Sequence, residues 1–92
     1  PLQLVNLLGR EYRFLYFYKI LEQKRYGIKE MMSELKLQEW QVKKIQKESS
    51  FYHKDDVGEI LIRLAKLDLA IKSGKQDKVV AFYAFLVWLM NY

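Results

Sequence analysis

Apolar side chains in this chain recur at helical spacing almost everywhere, and only at its far end does the spacing give way to an unbroken run. Across residues 2–24, Leu4, Leu7, Leu8, Phe14, Leu15, Tyr18 and Leu21 return every three or four positions and predict one long first helix. Gly9 falls inside that helix at a cost of about 1 kcal/mol relative to alanine, which leaves room for a kink or short break near it. Gly27 is expected to end it. Ile28, Met31, Met32 and Leu35 predict a short second helix. A turn at Leu37, Gln38 and Glu39 then leads into a third helix carrying Trp40 and Ile45, with Val42 partly turned away, and the pair reads as helix-turn-helix.

Residues 47–56 (KESSFYHKDD) show no sustained period and predict a loop, with Asp55 or Asp56 as the N-cap of the fourth helix. That helix repeats Val57, Ile60, Leu61, Leu64, Leu67 and Ile71 and stops at Ser73-Gly74, where glycine can adopt the left-handed conformation of a helix end. Asp77 is expected to cap the last helix. Residues 79–90 (VVAFYAFLVWLM) are apolar without interruption, so a helix made of them is hydrophobic around its whole circumference and must be covered on every side. A membrane span needs about 20 apolar residues, so this run predicts a helix serving both the core and a subunit contact. The expected contact residues are Phe82, Phe85 and Trp88, together with Tyr16 from the aromatic cluster of the first helix. No stretch alternates with a period of two between hairpin turns, so the fold class is all-α, a five-helix bundle-like domain.

Composition narrows the picture. Ninety-two residues, 51% of them hydrophobic, suit one small domain with its own core. The first residue is Pro1, and the chain reads as a domain cut from a longer one. With no cysteine there is neither a disulfide nor a thiolate metal site, which is compatible with a reducing cytoplasm. The net charge of +5 belongs to the first part: residues 1–54 hold 11 Lys and Arg against 6 Asp and Glu, whereas residues 55–92 hold 5 of each. Such asymmetry can draw a domain toward phosphate or an acidic partner, and is also the mark of a solvated lysine-rich face.

Catalytic chemistry is hard to place. His53, the only histidine, stands among charged loop residues and reads as a surface residue. No nucleophile–base pair, metal-ligand spacing or phosphate-cradling glycine loop occurs, so no enzyme activity, cofactor or metal is expected. Arg13 and Asp68 sit beside apolar stripes, and a charge held near a core needs a partner, so the two are expected to form an ion pair docking the first helix on the fourth. Lys72, four residues beyond Asp68, is the alternative partner. Lys43, Lys44 and Lys47 on the third helix are candidate nucleic-acid contacts, although that helix lacks the Arg and Asn that commonly read bases.

Three pieces resemble a known family. Residues 8–15 (LGREYRFL) are similar to L-x-R-Q-F/Y-R-L-L, Trp40-Gln41-Val42-Lys43 to H-P-Y-R-V-K, and residues 67–75 (LDLAIKSGK), followed by Asp77, to x-x-D-x-x-I-K-T/S-G-K-x-D. Across nearly the whole chain this resembles the C-terminal domain of bacterial DNA polymerase III delta subunits. The resemblance implies a helical collar domain of a clamp loader. It implies other loader subunits of the gamma/tau and delta-prime types as partners, a sliding clamp engaged only through the delta subunit's N-terminal domain, ATP bound elsewhere, primer-template DNA nearby, and a cytoplasmic setting at the replisome without a membrane. The reading from residues alone also leaves open a small helix-turn-helix DNA-binding regulatory domain.

Overall fold

A computed structural model describes residues 2–74 and 77–91 and contains five helices and, among those residues, no strand. They are α1 (Leu2–Gln23), α2 (Ile28–Leu35), α3 (Glu39–Ser49), α4 (Lys54–Lys72) and α5 (Lys78–Met90). Lys75, which belongs to the last of the three motif-like pieces, lies outside the described residues.

Local chemistry sets the helix ends. At three N-termini a side chain three residues into the helix reaches back to the backbone before it: Gly27 N–H donates to Glu30 Oε1 at 3.0 Å, Gln38 N–H to Gln41 Oε1 at 2.9 Å, and His53 N–H to Asp56 Oδ2 at 3.2 Å. Asp56 is therefore not the N-cap of α4; that position is His53, and the aspartate acts from within the first turn. Asp77 does cap α5, its Oδ1 accepting from Val79 N–H at 2.9 Å and Val80 N–H at 3.1 Å. Gly74 takes the left-handed conformation after α4, with φ of 70°. After α1 the corresponding turn is made by Arg25 at φ 62°, and Gly27 instead begins α2. The helix runs unbroken through Gly9, where the absent Cβ makes room for Arg13: a methyl group there would lie 3.2 Å from the guanidinium.

Helix α4 is the spine. It packs along α1 on one side and α5 on another, while α2 and α3 form a helix-turn-helix pair seated against α1. The core joins Val5, Tyr12, Leu15 and Tyr18 of α1 to Val57, Ile60, Leu64 and Leu67 of α4, with Met31, Val42 and Ile45 entering from the pair. Two expectations about faces are corrected. Leu4 and Leu7 are exposed while Val5 and Tyr12 are buried, and Val42 is fully buried while Trp40 stands 62% exposed. In both helices apolar residues occupy more than one face, and packing selects the face that meets α4 or α1. Tyr12 also ties α1 to the chain after α3, its hydroxyl 3.2 Å from that of Tyr52 and the rings meeting edge to face at 5.8 Å. The whole is elongated, 43 × 24 × 18 Å.

Candidate subunit interface

α5 contains no charged residue after Lys78, and it folds back along α4 as one arm of a helical hairpin. Its inward face is Ala81, Phe82 and Phe85, all buried, with Leu86 and Leu89 packed beside them. One element cannot enclose the helix on all sides. The opposite face accordingly carries Val80 at 66% exposure, Tyr83 at 63%, Val87 at 58% and Met90 at 84%, spaced by three or four residues along one ridge. Val79 is exposed beside them. A ridge of this kind, continuous over three turns on a domain this small, is the form that an interaction surface takes.

Phe82 and Phe85, expected as contact residues, are thereby placed in the domain's own core, and the exposed apolar surface of α5 is the opposite ridge. The cause is geometric: an all-apolar run carries no phase information, so the sequence cannot say which face α4 takes. Trp88 lies at the boundary, half-buried, its ring 5.9 Å from that of Phe85 and covered by the Arg63 guanidinium at 4.5 Å. Tyr16 is half-buried against the start of α4, close to Gly58, with the Lys54 ammonium 6.0 Å from its ring centroid.

Arg13 and Asp68 line the same groove between α1 and α4 but do not form the expected ion pair. Asp68 instead holds Lys72 at 3.0 Å, one turn along its own helix, and its second oxygen is buried with no hydrogen-bond partner. Arg13 folds back over Gly9 rather than reaching across. The i,i+4 partner wins because both its side chains are fixed on one helix, whereas the cross-helix pair would have to order a long arginine over the groove.

Lys43, Lys44 and Lys47 all lie exposed on α3, and two of them are engaged locally: Lys43 with Glu39 at 3.5 Å and Lys44 with Glu48 at 3.9 Å. These pairs lower the positive field that a groove-reading helix presents to phosphate. His53 is exposed at the start of α4. Among the described residues no cluster of three His, Cys, Asp or Glu could hold a metal ion, and no helix is long and apolar enough to cross a membrane.

A sequence model for the family described as "DNA polymerase III delta subunit, C-terminal domain" matches residues 1–89. The chain belongs to that family. Among curated proteins it is similar to DNA polymerase III subunit delta of Bacillus subtilis strain 168, 27% identical over 91 residues, which is 99% of this chain and 26% of that protein. Among solved structures it is similar to the Bacillus subtilis DNA clamp loader delta protein, with a TM-score of 0.93 at 26% identity over all of this chain and 27% of that one. The chain thus spans about a quarter of the length of these relatives, and the five-helix architecture is that of the delta C-terminal domain.

Proposed function

We propose that this domain is a non-catalytic assembly module of a bacterial clamp loader, holding a delta subunit in the ring that places the sliding clamp on primed DNA. Its partners in that reading are the collar domains of the gamma/tau and delta-prime type subunits. The clamp is engaged through the delta subunit's N-terminal domain, and ATP is bound by other subunits. The work is done in the cytoplasm, at the replisome. Family membership supports the setting, and one observation carries the role: α5 fills the core with one face and presents Val80, Tyr83 and Val87 to solvent with the other. An apolar ridge left outside a completed core is stabilised when a neighbouring subunit covers it. The domain contributes surface and no chemistry.

The test is a full-length delta subunit carrying Val87→Asp, mixed with the remaining loader subunits. Because Val87 is outside the core, melting should shift little while loader assembly weakens by on the order of a hundredfold, the effect of placing an unpaired charge in a desolvated contact. Assembly at wild-type strength would reject the role.

A further inference from the structure

The hairpin of α4 and α5 has a second feature beside the ridge. On the side of α4 that faces away from α1, a shallow open groove runs between the two helices. Leu67, Ala81 and Phe85 form its floor, and Arg63 and Lys66 stand along its α4 edge. Ala70 on α4 and Ala84 on α5 keep the walls low, and Val80 and Val87 continue the apolar surface outward from the α5 edge. The division of α4 is clear from its spacing: Leu61, Ala65 and Asp68 line the groove against α1, and Arg63, Lys66 and Ala70 line the one against α5.

We propose that this groove receives an amphipathic helix of a neighbouring loader subunit, and that the helix brings a carboxylate to Arg63 and Lys66. The proposal rests on the assembly reading above and names the chemistry of the partner. A helix is the matching shape, since a trough between two antiparallel helices with small residues on its walls admits the ridge of a third. The carboxylate follows from charge. Two cations three residues apart on one face border an apolar floor, and covering them without counter-charge would leave them desolvated and unpaired. A second copy of this domain is a poor occupant, because α5 supplies no acidic residue and a two-fold contact through the groove would gather Arg63 and Lys66 of both copies in one interface. Nucleic acid fits less well, since a phosphate backbone calls for a row of cations rather than two beside an apolar trough.

The experiment compares full-length delta subunits carrying Lys66→Glu, Lys66→Ala or Val87→Asp for association with the other purified loader subunits at two salt concentrations. Lys66 is exposed, whereas Arg63 covers Trp88, so the lysine variants keep the fold readable by thermal melting. The proposal expects Lys66→Glu to weaken association on the order of tenfold, Lys66→Ala to flatten its salt dependence, and an Asp or Glu to Lys change on the docking helix of the neighbour to restore binding to Lys66→Glu. Wild-type association of both Lys66 variants, with Val87→Asp defective, overturns the acidic-helix proposal and leaves the assembly role standing. Normal association of all three removes both. A Lys66→Glu effect confined to self-association of the delta subunit, or to its binding of primer-template DNA, also overturns it.

Discussion

Tyr12 shows how one side chain can hold two parts of the domain and leave a measurable trace. Its phenol is buried between α1 and the segment after α3, and burial, reinforced by the hydrogen bond to Tyr52 and by nearby negative charge, pushes its pKa upward from the usual value of 10.0. Tyr18, also buried, is shifted upward in the same way. A phenol whose pKa is higher folded than unfolded contributes stability that is fully present below about pH 10 and is lost as the pH rises through the folded value. The melting temperature should therefore fall as pH climbs above 10, and the fall should be shallower in Tyr12→Phe than in wild type when the two are followed by circular dichroism. Equal slopes would place Tyr12 in water. Asp68 is the contrasting case at this scale: a carboxylate beside an apolar stripe announces that a partner is needed, and it cannot announce which. The cross-helix partner and the i,i+4 partner are both compatible with the sequence, and only the folded positions of Arg13 and Lys72 decide between them.

At the scale of elements, punctuation was more legible than orientation. The start of α3, the cap at Asp77 and the stop at Ser73-Gly74 follow from residues whose backbone or side-chain chemistry acts locally, and they appear where that chemistry puts them, whereas the loop expected over residues 47–56 shrinks to residues 50–53 because α3 runs on to Ser49. The start of α4 was displaced because Asp56 caps from the third helical position, a geometry that also satisfies the sequence rule. Faces were harder. In α1, Leu4 and Leu7 compete with Val5 and Tyr12 for the core, and α4 takes the latter pair. In α5 every position after Lys78 is apolar, so only the placement of α4 marks its core face. The corrected assignment separates two effects that would otherwise be confused. Phe85→Ala removes a core ring and should cost about 3 to 5 kcal/mol in a denaturant titration. A loss below about 1 kcal/mol would show that Phe85 is not core, contrary to its 7% exposure.

The whole molecule is a spine with two unequal sides. On one, α1 and the helix-turn-helix pair close a core around α4; on the other, α5 is held by α4 and has its outer ridge in solvent. The fold class and the family setting are both legible in the sequence, the first from helical periodicity and the second from the motif-like pieces in α1, α3 and α4. The exposed ridge was not, because its residues are distinguished from core residues by position alone. Shielding of the ridge tests the account most directly. Hydroxyl-radical footprinting of the full-length delta subunit, free and within the assembled loader, reads the solvent access of Tyr83 and Met90 on α5 against that of Trp40, exposed on α3. The account predicts that Tyr83 and Met90 are oxidised readily in the free subunit and are strongly protected in the loader. Unchanged reactivity of both on assembly would contradict it.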